Sequence, residues 1–237
     1  MYKSKSVFLM RFTKFLLLLL FMLAGVLCFG QTRISEVNLN RIKYKKVREY
    51  LQIQQSQNVE SLLDIKPSMY LYSDNKGYRI DERIYLFKDS LAKVWQHYIF
   101  TNPGDSWNGN RVKFGLLFSK KENRIIYQGE DITSLNTGQV FFLNLKLLRG
   151  LSNLATVFEL ISINDDQKII EFSYVDGNIT EGKQQLKFTQ TSKGYTEITH
   201  TTYYKSKSVI RDQLYPYFHT RLLNEFHRNM KRLYKVN

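Results

Sequence analysis

The residues able to do chemistry are few in this chain. Four histidines, His97, His200, His219 and His227, supply the only side chains that ordinarily titrate near neutral pH. His219 and His227 stand eight apart, so on one helix ~12 Å of rise separates them and they cannot share a metal ion. No His-Glu-x-x-His or other ligand spacing occurs, and neither metal nor cofactor is expected. His200 alternates with Ile198 and Thr202 in a run of period two. Such a histidine is more often structural than functional; the rival reading is a hydrogen-bonding or acid-base group in a pocket. The acidic pairs Asp165-Asp166 and Glu130-Asp131 fall in turn-like stretches, where solvated carboxylates are ordinary. Ser106 sits in the turn sequence Asp105-Ser106-Trp107-Asn108, and the chain has neither a Gly-x-Ser-x-Gly elbow nor a phosphate-cradling glycine loop. The single cysteine, Cys28, excludes a disulfide scaffold and a cysteine metal cluster. No catalytic residue is assigned on these grounds.

What must position such residues begins after an N-terminal leader. Lys3, Lys5, Arg11 and Lys14 form a positive segment, followed by thirteen uncharged residues from Phe15 to Leu27. A membrane-spanning helix needs ~20 apolar residues, so the run fits the core of a secretory signal peptide better than an anchor. Cys28-Phe29-Gly30 places small residues at −3 and −1, predicting cleavage near Gly30 and a mature chain from Gln31. A retained N-terminal anchor or lipid is the alternative, although Leu27 stands where a lipoprotein signal wants a small residue. Removing residues 1–30 leaves 31 Lys+Arg against 21 Asp+Glu and no cysteine, which suits a periplasmic or extracellular compartment.

The whole chain of 237 residues carries a net charge of +14, and its 14% aromatic content argues against disorder. The cations are dispersed except in Lys43-Tyr44-Lys45-Lys46 and at the C-terminal end. For an exported chain this points to a solvated basic surface, or to contact with anionic lipid or polysaccharide; no nucleic acid partner is expected.

Residues 35–57 read as a helix, with Ser35 as its cap and Val37, Tyr44, Val47 and Leu51 on one stripe. We take residues 31–67 as an N-terminal helical arm and 68–237 as the domain. From about Tyr70 to Tyr204 the period is two. Strands are predicted at 78–87, 112–118, 124–127, 139–147, 155–163, 169–175, 184–190 and 195–204, with a short helix at 91–98 capped by Asp89-Ser90. Phe141, Leu143, Leu145 and Leu147 share one strand face. Leu214, Phe218, Leu222, Phe226, Met230 and Leu233 then recur at helical spacing, predicting a helix over 208–235 that Pro216 starts or kinks. The fold class is α+β: a curved antiparallel sheet around a long C-terminal helix.

This order resembles the START-like helix-grip superfamily, also called SRPBCC, which includes polyketide cyclases, plant pollen-allergen proteins and lipid-transfer domains. The likeness covers residues 78–237 and is carried by Ile84–Trp107: a strand, the Asp89-Ser90 cap, Val94-Trp95, then Trp107. Phe172-Ser173-Tyr174, Gly182 and Tyr215-Pro216-Tyr217-Phe218-His219 are similar to uncharacterised bacterial members. The resemblance implies a gap between sheet and helix able to hold an elongated apolar ligand. On that fold Phe141, Leu143, Phe172, Tyr174, Leu186, Phe188, Ile198 and His200 face inward, opposite Phe218, Leu222 and Phe226, with His219 able to meet His200. Most are core. Tyr174 and His200, the polar exceptions, are expected to meet a ligand's head group, with Phe141, Phe172, Phe188, Phe218 and Phe226 around it. The leading function is a non-catalytic exported binding protein for an apolar or amphipathic small molecule, a lipid among the candidates. The rivals are a polyketide-cyclase-like enzyme using the same pocket and an envelope interaction protein without ligand.

Overall fold

A computed structural model of the chain describes residues 32–69, 77–132 and 134–235. The expected signal peptide lies outside the described residues, as does the predicted start of period-two structure at Tyr70. Strands β1 (Arg79–Phe87), β2 (Val112–Ser119), β3 (Arg124–Tyr127), β4 (Gln139–Leu147), β5 (Ser152–Asn164), β6 (Ile169–Tyr174), β7 (Thr180–Gln190) and β8 (Thr196–Ser206) form one antiparallel sheet in the order β1-β8-β7-β6-β5-β4-β2-β3. Helix α1 (Lys45–Ser56) precedes the sheet; α2 (Leu91–Phe100) and α3 (Pro103–Ser106) follow β1; α4 (Val209–Tyr234) ends the chain. The sheet is curved and closes around α4, the helix-grip arrangement. Among the described residues no helix is long and apolar enough to cross a membrane.

The period-two alternation divides the sheet into two buried faces. Inward go Phe114, Leu117, Phe141, Leu143, Phe158, Phe172, Leu186, Phe188 and Ile198, packed with Val94, Trp95 and Tyr98 of α2, with Trp107, and with Leu222, Phe226 and Met230 of α4. Outward go Leu116, Phe118, Val140, Phe142 and Val157, covered by Ile34, Val37, Ile42, Val47, Leu51 and Leu62. Strand β4 is therefore buried on both sides, which explains its unbroken apolar run Val140-Phe141-Phe142-Leu143. One glycine is obligatory: Gly182 has φ +128°, and a Cβ there would lie 1.9 Å from the Tyr203 carbonyl oxygen across the β7–β8 ladder.

The N-terminal segment departs from the expected single helix over 35–57. It makes two 3₁₀ turns, Ile34–Glu36 and Leu39–Arg41, and becomes α-helical only at Lys45. Asn38 is the reason. Its side chain accepts from Asn40 N at 3.1 Å, a local turn that competes with the helix, and its own N–H donates to the Tyr127 hydroxyl on β3 at 2.8 Å. Ser35 consequently lies inside the first 3₁₀ turn and caps nothing. The break also lets Ile42, off the helical stripe by sequence, become fully buried.

In α4, Ser208 is the N-cap and accepts from Arg211 N. Pro216 does not start the helix but lies within it, removing the N–H that would bond Asp212 O. The Tyr204 hydroxyl donates to that carbonyl instead, at 3.4 Å.

Candidate functional site

Between the first half of α4 and the far end of the sheet lies a cavity of about 240 Å³. Leu143, Leu145, Leu147, Leu154 and Phe158 of β4 and β5 form one wall, and Leu214, Phe218, Leu222 and Leu223 of α4 the other. These helix residues fall at i, i+4, i+8 and i+9, so one apolar stripe supplies the wall. Trp107 and Val112 close the inner end, and Ile179 and Arg211 stand at the mouth beside the exposed Leu214. Four polar groups cluster together, Tyr174, Gln184, Tyr215 and His219, while Thr156, Asn178 and Thr180 also border the space. Among the described residues no group of three or more His, Cys, Asp or Glu is placed to hold a metal ion.

The clustered polar groups continue into the protein as a hydrogen-bonded chain. Gln184 Nε2 donates to the Tyr174 hydroxyl at 3.0 Å, and that hydroxyl lies 2.6 Å from the Tyr215 hydroxyl. Gln184 Oε1 can only accept, so His200 donates to it from Nε2 at 2.9 Å. A neutral His200 then has a bare Nδ1, which takes the Nε2–H of His227 at 3.0 Å. His227 Nδ1 in turn accepts from the Tyr98 hydroxyl at 2.8 Å. Every member from Tyr98 to Tyr174 is satisfied head to tail, provided both histidines are neutral. Burial enforces that condition: it holds His200 and His227 well below the ordinary histidine range, with the neighbouring His227 and His219 adding for His200 and Lys231 adding for His227. Burial pushes Tyr174 up to about 12 and Tyr98 well above 10, so both keep their protons.

His219 is different. It is 5% exposed and lines the cavity; its ring stacks on Tyr215 at 4.7 Å, yet neither ring nitrogen is hydrogen-bonded to any described residue. Burial, with Arg83 adding to it, pushes its pKa down to about 3. The cavity thus offers an uncharged imidazole without a partner, next to a pair of protonated tyrosine hydroxyls. That arrangement can bind the polar group of an otherwise apolar guest.

Of the residues singled out by sequence, Tyr174 and Phe218 line the cavity. His200 does not; it lies one link behind, separated by Gln184 and 1% exposed. Phe141, Phe172, Phe188 and Phe226 are also absent from the wall, because other rings occupy the space before them. Phe141 stacks on Phe158 at 5.1 Å, Phe172 meets both edge-on, Phe188 is held by Trp95 and Tyr98, and Phe226 stacks on Trp107 at 4.0 Å. The partner of His200 is His227, not the expected His219, which stays at a ring separation of 6.3 Å. The residues missed were Gln184, Tyr215, His219 as a cavity group, and Arg211. For Gln184 a signal was present: it shares the inward parity of Leu186 and Phe188 and is the polar exception among them.

No family model matches the chain, and no curated protein matches it. Solved structures similar to it include norcoclaurine synthase from Thalictrum flavum in complex with dopamine and hydroxybenzaldehyde, at 13% identity and a TM-score of 0.48 over 70% of this chain and 92% of that one. Ginseng major latex-like protein 151 from Panax ginseng is similar at 13% identity and a TM-score of 0.48, covering 66% and 97%. Ara h 8.0201 is similar at 11% identity and a TM-score of 0.46, covering 68% and 100%. At these values the similarity assigns neither a family nor an activity.

Proposed function

We propose that this chain is an exported, START-like, non-catalytic binding protein for an apolar or amphipathic small molecule held in the cavity between β4–β7 and the first half of α4. The observation that carries the reading is the cavity itself: about 240 Å³ of space with apolar walls and one polar cluster. A folded core of this size packs out such a volume unless something else fills it. The hydrogen-bonded chain behind the polar cluster supports binding over catalysis, since its histidines are held neutral and spend their nitrogens on one another. Export rests on the N-terminal pattern, with residues 1–30 as its signal. The test is native mass spectrometry of the protein from its own host, joined to titration with the neutral apolar dye Nile red. A co-purifying amphiphile that Nile red displaces supports the reading. An empty chain that takes up no dye sinks it.

A further inference from the structure

His219 and Arg211, both lining the cavity and both on α4, have no side-chain hydrogen-bond or ion-pair partner among the described residues. His219, buried and lining the cavity, has no hydrogen bond to any described residue. An unmet imidazole in an apolar enclosure is costly, so an occupant that hydrogen-bonds to it gains by doing so. Arg211, at the mouth, is exposed, and no described carboxylate or carbonyl accepts from its guanidinium. Its chain neighbour Asp212 does not neutralise it, being engaged by Ser206 N at 2.9 Å and facing Arg79 at 3.8 Å. Arg221, further along the same helix, is by contrast occupied: it lies 3.4 Å over the Tyr217 ring and donates to the Tyr217 carbonyl. Arg211 also sits in the first turn of a long helix, where the dipole adds to its attraction for an anion.

Eight residues separate Arg211 from His219, which is ~12 Å along the helix axis. Leu214 and Phe218 lie between them on the same wall. Resting on the reading of the cavity as a binding site, we propose that its occupant is a two-point amphiphile. A carboxylate or phosphate head pairs with Arg211 at the mouth, an apolar body runs along Leu214 and Phe218, and a hydroxyl or carbonyl oxygen ~12 Å from the head meets His219. An apolar molecule with no head group leaves Arg211 unused, and a simple fatty chain leaves His219 unmet.

Isothermal titration calorimetry with 10-hydroxydecanoate, decanoate, 1,10-decanediol, decyl phosphate and decanol tests this, beside Nile red as the neutral probe. The expected result is that 10-hydroxydecanoate binds about tenfold more tightly than decanoate, which lacks the inner oxygen, and than 1,10-decanediol, which lacks the charge. Arg211→Gln, at an exposed position, should erase the advantage over the diol and leave the advantage over decanoate. His219→Phe should do the reverse. Decyl phosphate against decanoate tells the two head groups apart; the proposal stands whichever binds better and falls if neither outbinds decanol. If Nile red and the whole series bind but both variants rank them as the parent does, the two-point occupant is wrong while the cavity reading survives. If neither the dye nor any amphiphile binds, both fall.

Discussion

Under α4, the sheet around Phe172 and Phe188 and the sheet around Leu145 and Tyr174 both turn apolar side chains inward, yet the first leaves a void of about 10 Å³ and the second one of about 240 Å³. At the first, α2 brings Val94, Trp95 and Tyr98 against the strands, and Trp107 stacks on Phe226, so rings fill the grip. At the second, no helix stands between sheet and α4, whose Leu214 is exposed and whose Phe218 is half-buried. The polar groups divide in the same way. At the filled end Tyr98, His227 and His200 satisfy one another, whereas at the open end His219 is unmet. Aromatic content therefore marks where the grip is packed, and an unpartnered polar atom marks where it can receive something.

The largest expected effect follows from the buried histidines common to both ends. His200, His227 and His219 all have folded-state pKa values below the ordinary 6.5, His219 at about 3. In the unfolded chain they take up protons as pH falls through ~6.5; in the folded chain they do not, so acid favours unfolding. Their stability contribution is complete above pH 7 and is lost downward through the unfolded pKa, at ~1.4 kcal/mol per pH unit for each histidine. By pH 5 His219, at about 3 in the fold, alone removes ~2 kcal/mol, and His200 and His227 add to the loss in the same direction. Urea unfolding at stepped pH should show this slope between pH 6 and 5, above the ordinary carboxylate range, with Glu159 and Asp81, raised by burial, opposing it. His219→Gln, which breaks no hydrogen bond to a described residue, should make the slope shallower. A flat profile across that window would mean the histidines are solvated and the grip is looser than described.

Next in size, Phe226→Ala should cost ~3–5 kcal/mol, because it removes a ring packed on Trp107 and Tyr98 from the filled end. His200→Ala should follow at ~2–4 kcal/mol, since it strands the His227 Nε2–H and the Gln184 carbonyl in a dry interior. That departs from the expectation drawn from sequence, in which His200 meets a ligand's head group. A His200→Ala variant that melts with the parent but loses dye binding would restore the original expectation. The comparison of the two ends would then need redrawing.

The fold was legible because its signals are local and periodic. The strand runs of period two and the stripe from Leu214 to Leu233 placed the elements of 78–235 to within a few residues, except α3, which reads as a turn by sequence, and the start of β7, predicted at Gln184 and found at Thr180. The N-terminal helix was overextended because Asn38 acts through a contact with Tyr127, 89 residues away in sequence, which no local pattern displays. The site was only partly legible for a similar reason. Parity assigns Tyr174, His200 and Phe188 to one face, but it does not say which inward residues meet another ring and which meet empty space. That depends on where α2 ends and how far α4 reaches before Pro216, both tertiary facts. Even so, the polar exceptions on the inward face were the right class of residue to follow, since His200 leads through Gln184 to Tyr174 and the cavity.

The smallest expected effect on stability is also the sharpest test of the comparison. Phe218 and Phe226 sit two turns apart on one stripe of α4, and sequence gives no reason to rank them. In the structure Phe226 is enclosed by rings, whereas Phe218 is half-buried and faces the cavity. Truncating a side chain that already borders open space creates little new void, so Phe218→Ala should cost only ~1 kcal/mol, set by the apolar area it loses. Its effect should fall on binding instead: with one wall thinned between Arg211 and His219, Nile red affinity should drop severalfold. Phe226→Ala should lower the melting temperature far more, while the fraction that remains folded keeps parental affinity. Measuring both variants by urea unfolding and by dye titration gives four numbers whose pattern must cross. If Phe218→Ala destabilises as much as Phe226→Ala, the first half of α4 is packed like the second, and there is no cavity for a ligand to enter.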